Sequence, residues 1–175
     1  MKKTKCLFFL VLLVSTFSYG QMSAGGGLGL LTPMGNNSGD SQFGFNLMGR
    51  YEVSNEVNIG ANIGYFQNSN SQSVLGTTFK SVAFSVPISI TAEYLFSNND
   101  FRPYASADLG LFTFGARVNG NSSSSSYLTL APGAGGRYAI NRNLSLDFSL
   151  RYNLVFISNN TTGFLATNVG VLFAF

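Results

Sequence analysis

Residues 144–156 read LSLDFSLRYNLVF, and every second position is apolar. Leu144, Leu146, Phe148, Leu150, Tyr152, Leu154 and Phe156 alternate with Ser145, Asp147, Ser149, Arg151, Asn153 and Val155. A period of two predicts a strand with one apolar and one polar face, since successive side chains leave a strand on opposite sides. Wound as a helix, the same residues would spread their apolar groups around the whole circumference.

The pattern recurs. Phe43, Phe45, Leu47, Tyr51 and Val53 oppose Gly44, Asn46, Met48, Arg50 and Glu52; Val57, Ile59, Ala61, Ile63 and Tyr65 oppose Asn58, Gly60, Asn62 and Gly64. Residues 82–96 and 128–140 alternate in the same way, while 22–33 and 101–118 do so less cleanly. With 164–175 the sequence predicts eight strands. Short polar turns (SNE at 54–56, SNND at 97–100, NRN at 141–143) alternate with longer polar stretches (MGNNSGDS, QNSNSQSVLGTT, NGNSSSSS and ISNNTTG). Short turns at one end and long loops at the other are the layout of an outer-membrane barrel. The expected fold is all-β: an eight-stranded antiparallel up-and-down transmembrane β-barrel.

Charge decides which face is outside. The apolar faces carry no charged residue, and a lipid-facing Arg or Lys at mid-depth costs about 2–4 kcal/mol. The opposite face is built from Gly, Ser, Ala, Asn and Thr with Arg and acids, which suits the crowded bore of a narrow barrel. A soluble, lipocalin-like barrel would instead show water a Lys- and Glu-rich exterior. The charges expected in the lumen are Arg50, Glu52, Glu93, Asp108, Arg137, Asp147 and Arg151. Held away from bulk water they must pair, and they read as a salt-bridge plug that sets strand register in preference to an ion path. Pro87 and Pro132 fall inside strands with two neighbours, where a missing N–H predicts a bulge or bend.

Composition removes several alternatives. Residues 1–20 have the form of a cleavable signal peptide: Lys2, Lys3 and Lys5, then an apolar core, then Ser18 and Gly20 before a cut at Gln21. Residues 21–175 form the expected barrel domain. Without the signal, the ten Lys and Arg of the chain fall by three to seven, which equals the seven Asp and Glu. Nucleic-acid binding therefore has no electrostatic basis. After Gln21 no apolar run approaches the ~20 residues of a membrane helix. The chain has no His, and its one Cys, Cys6, lies within the signal. No catalytic residue, metal site or cofactor is expected; an oxygen-only calcium site at Asp40 and nearby Asn residues has no further support. The run Gly25–Gly29 lacks the Lys and helix of a phosphate loop, and Ser122–Ser126 reads as a solvated loop tip.

The last eight residues, NVGVLFAF, are polar at Asn168, glycine at Gly170 and aromatic at Phe173 and Phe175. They resemble the C-terminal signature by which the barrel-assembly machinery recognises bacterial outer-membrane proteins. VPISITAEYLF, RPYASADLGLF and PGAGGRYAINRNLSLDFSLRY likewise resemble segments of the small outer-membrane β-barrel family, the porin-family, OmpA- and OmpX-like proteins, in a Bacteroidetes style where Gln often follows the signal cut. The resemblance implies the bacterial outer membrane as location, with its lipid and lipopolysaccharide as surroundings. It also implies assignment of Asn168, Gly170, Phe173 and Phe175 to assembly. Larger relatives carry a peptidoglycan-binding domain after the barrel, a role not expected here. Barrels of this kind that are enzymes use a catalytic histidine, so none is expected. Two functions remain: a structural or surface-interaction protein with a filled lumen and loops open to an extracellular partner, or a narrow porin-like channel for ions or small solutes.

Overall fold

The computed structural model describes residues 22–35, 39–74, 77–118, 121–158 and 160–175. The signal-peptide assignment, Cys6 and Gln21 lie outside the described residues. Eight strands follow one another in the chain: β1 (Met22–Met34), β2 (Gln42–Glu52), β3 (Val57–Val74), β4 (Thr77–Leu95), β5 (Phe101–Val118), β6 (Asn121–Ala139), β7 (Leu144–Ile157) and β8 (Asn160–Ala174). Each pairs antiparallel with its neighbour in sequence, and β8 pairs with β1 to close the barrel. Closure leaves no edge around the wall, the condition for a sheet to cross lipid.

The faces are oriented as alternation predicts. Leu146, Phe148 and Leu150 are 40–45% exposed on the outside, while Asp147 and Arg151 between and beside them are 2% and 5% exposed inside. Aromatic side chains gather at both ends of the outer surface. Near the short turns, Tyr94 meets Phe96 edge-on at 5.3 Å and Phe173 lies 6.2 Å from Phe175. Towards the other end Tyr65 lies between Phe45 and Phe84. Two such girdles flanking an apolar band mark the headgroup levels of a membrane barrel.

Two expectations need correction. Of the long polar stretches, QNSNSQSVLGTT, NGNSSSSS and ISNNTTG are mostly strand among the described residues. β3 and β4 pair from Val57↔Tyr94 through Val74↔Thr77, and β5 and β6 from Phe101↔Tyr138 through Val118↔Asn121. Ser122–Ser126, read as a loop tip, belongs to β6, and Ser126 Oγ lies 2.7 Å from Thr113 Oγ1 across the ladder. The backbone of an antiparallel pair satisfies itself whatever its side chains. A polar sequence such as Ser122–Ser126 therefore pairs without any apolar alternation to announce it. Because β2–β3 pairing ends at Phe43↔Gln67 and β6–β7 pairing at Leu128↔Phe156, the upper parts of β3–β6 stand beyond the rest as a four-stranded sheet.

The prolines insert no bulge. At Pro87 the β3–β4 ladder stops at Ile63↔Ile88 and resumes in the same register at Phe66↔Ser85. At Pro132 the β6–β7 ladder breaks between Leu130↔Leu154 and Gly133↔Arg151, again with equal numbers on both strands. Each proline keeps its other neighbour, Phe112 and Ala107 respectively. The missing N–H is absorbed as a two-residue gap on one side, with the wall held from the other.

Candidate functional site in the barrel lumen

The bore is filled in layers. At the mouth beside the short turns, a vestibule of about 600 Å³ is lined by Ser23, Glu52, Asp100, Arg102, Arg137 and Arg142, among others. Glu52, one of the expected lumen charges, sits here at the rim. It is half exposed and 3.9 Å from Arg102, so it stands apart from the buried set.

The other six expected charges come together deeper in one network. Arg50 Nε donates to Glu93 Oε1 at 2.6 Å, and its Nη2 donates to Asn62 Oδ1 at 2.8 Å. Arg137 Nη2 donates to Glu93 Oε2 at 3.0 Å and to Asp147 Oδ2 at 3.1 Å. Arg151 Nε stands 3.1 Å from Asp108 Oδ2, and its Nη1 donates to Ser149 Oγ at 2.8 Å. Asn62 Nδ2 donates to Asp108 Oδ2 at 3.1 Å, which joins the Arg50 and Arg151 halves, and Thr91 Oγ1 donates to Asp108 Oδ1. Three guanidinium groups thus meet three carboxylates, and the layer is neutral. Paired, hydrogen-bonded charge is the form in which ions tolerate burial.

Tyr104 was not among the residues singled out in the sequence. Its hydroxyl donates to Asp147 at 3.1 Å, and its ring lies 5.4 Å beneath the Arg137 guanidinium. Gly135 makes room for it: a Cβ there would collide with the Tyr104 ring. The signal was present but faint, because in RPYASAD the outward positions are Pro103, Ala105 and Ala107, too small to mark the apolar face.

Strands β2 to β8 all send a side chain to this layer, Asn168 entering through Nδ2 to Ser149 Oγ at 3.5 Å. β1 presents glycines inward, opposite Leu172, Gly170 and Asn168 of β8. Towards the other end the lumen turns apolar: Leu31, Phe66, Phe112, Val155, Phe164 and Ala166 form one buried cluster. Phe112 and Phe164 stack at 5.1 Å, and Phe114 packs against both. Phe66 and Phe112 lie inside, 2% and 0% exposed. Leu31, Val155 and Phe164 extend this second layer from β1, β7 and β8.

The C-terminal residues divide between the faces. Asn168 and Gly170 point inward, Phe173 and Phe175 outward, and Phe175 N donates to Met22 O at 3.1 Å across the closing seam. Among the described residues there is no cluster of His, Cys, Asp and Glu suited to a metal ion.

A closed eight-stranded barrel with an apolar belt outside and paired charges inside defines a small membrane β-barrel. The family model for the outer membrane protein beta-barrel domain matches residues 6–175, and the chain belongs to that family. It is accordingly a protein of the bacterial outer membrane. Solved structures with the same fold include Ail, the attachment invasion locus protein of Yersinia pestis, crystallised with the heparin analogue sucrose octasulfate. It is 21% identical with a TM-score of 0.68, over 89% of this chain and 99% of that one. Neisserial surface protein A is 20% identical with a TM-score of 0.69, over 88% and 97%. OprG of Pseudomonas aeruginosa is 14% identical with a TM-score of 0.64, over 89% and 96%. No curated protein sequence matches the chain.

Proposed function

We propose that this protein is a structural and surface-interaction barrel of the outer membrane, with a closed lumen and no catalytic activity. One observation carries the reading: a neutral ion-pair layer and an aromatic layer lie in series across the bore. Permeation would require breaking buried ion pairs and wetting a cluster whose members Leu31, Phe112 and Val155 are wholly buried. The absence of His from the whole chain supports the non-catalytic part, since imidazole is the usual general base near neutral pH.

Planar-bilayer recording tests the closure. The refolded wild-type barrel is expected to give no conductance steps. Reproducible single-channel steps that change on Asp147→Ala or Arg151→Ala would establish the competing reading, a narrow channel for ions or small solutes. That reading draws on the wide polar vestibule, which leads as far as the Arg137 layer.

Surface interaction is supported by the sheet formed by the upper parts of β3–β6. Its outermost strands, residues 68–74 of β3 and 121–127 of β6, pair on one side only among the described residues. Open edges of this kind accept an extended segment from a partner.

Export and assembly complete the proposal: cleavage before Gln21, lipid and lipopolysaccharide around the belt, and recognition of Asn168, Gly170, Phe173 and Phe175 by the assembly machinery. Outer-membrane fractions are expected to contain a heat-modifiable species whose mass begins at residue 21, and Phe175→Ser is expected to deplete it several-fold. An undiminished amount of the variant would remove Phe175 from the assembly role, and an unprocessed mass would remove the cleavage.

A further inference from the structure

Beside the charged layer lies a cavity of about 40 Å³. Asn46, Asn62, Asp108, Arg151, Asn153 and Asn168 supply most of its polar wall. Three polar atoms of these residues, Asn46 Oδ1, Asn168 Oδ1 and Arg151 Nη2, have no hydrogen-bond partner among the described residues. All three residues are only 5% exposed. The Arg151 contact to Asp108 is close in distance but not aligned for a hydrogen bond, so its guanidinium has donors to spare.

Buried polar atoms without a partner are rare, and each costs about 1–3 kcal/mol. Gly29 of β1 stands opposite Asn168 and makes room for its side chain, since a Cβ there would collide with Asn168 Oδ1.

We propose that this cavity is a binding site for ordered water, with Arg151 Nη2 donating to it and Asn46 Oδ1 and Asn168 Oδ1 accepting from it. One water needs roughly 10–15 Å³ of such volume, so there is room for about three. Water is the ligand whose chemistry balances the wall, because it accepts from the guanidinium and donates to the amide oxygens. A monovalent cation would face Arg151, and a halide would face the Asp108 carboxylate. Either would add an unmatched charge to a neutral layer.

The test is a crystal structure of the refolded barrel in detergent, together with crystals soaked in rubidium bromide. The expected result is density about 2.7–3.2 Å from the three orphan atoms, without anomalous signal in the soaked crystals. A rubidium or bromide peak in the cavity overturns the assignment. So does absent density at a resolution that shows ordered water elsewhere in the structure. In the double variant Asn46→Leu, Asn168→Leu the density is expected to disappear; unchanged density would show that other atoms hold the water. Should that variant fail to refold, the wild-type crystals decide alone.

Discussion

Glu93→Leu is expected to lower the unfolding free energy of the refolded barrel by about 3–5 kcal/mol, the cost of leaving buried charge without its partner. Glu93 is the hinge of the network, accepting from Arg50 through Oε1 and from Arg137 through Oε2. Its removal leaves two guanidinium groups in a layer where Glu93 itself is 1% exposed. Arg137 keeps Asp147, but Arg50 keeps only neutral acceptors: two backbone carbonyls and Asn62. Urea unfolding in lipid vesicles measures the loss. Glu52→Gln is the control, since its half-exposed rim pair with Arg102 is expected to contribute only about 0–1 kcal/mol. Equal effects at the two positions would refute the layered description of the bore. The double variant Arg50→Met, Glu93→Leu is expected to recover stability relative to Glu93→Leu, because the desolvation cost goes with the pair while Arg137 keeps Asp147.

Leu150→Arg carries the second large effect, a loss of about 2–4 kcal/mol. Leu150 lies midway along β7, outward-facing, between Ala134 of β6 and Thr167 of β8. Its charge would sit in hydrocarbon far from either aromatic girdle. Phe96→Arg, placed beside the short turn 97–100, is expected to lose only about 0–1 kcal/mol, since the cost falls towards the interfaces. In a barrel surrounded by water the two substitutions would both be nearly neutral. The comparison in vesicles therefore tests the orientation of the faces as well as the depth of each residue.

How much of this was legible in the chain differs from element to element. β7 was the plainest: strict alternation in LSLDFSLRYNLVF set its faces, and with them Asp147 and Arg151 inside. The six buried charges of the network could be placed in the lumen by parity alone, because a one-residue slip would put each of them in lipid. Their partners could not be. That Glu93 bridges Arg50 and Arg137, while Glu52 stays at the rim, depends on register and tilt across β2, β4 and β6. No local pattern encodes those. The upper reaches of β3–β6 were missed because a polar sequence such as Ser122–Ser126 carries no apolar alternation, and Leu31 and Phe164 because no local pattern marks two apolar side chains as neighbours across the bore.

What the amino-acid sequence determined by itself was a set of two-faced strands and the sorting of charge to one face, since lipid on one side and a narrow bore on the other punish any exception. Only closure of the barrel decided which side chains meet. Pairing across the lumen joins residues as far apart in the chain as Arg50 and Glu93, and β1 has to give up its side chains for the others to fit. Those are distances and volumes between strands, and they exist only once β8 has found β1.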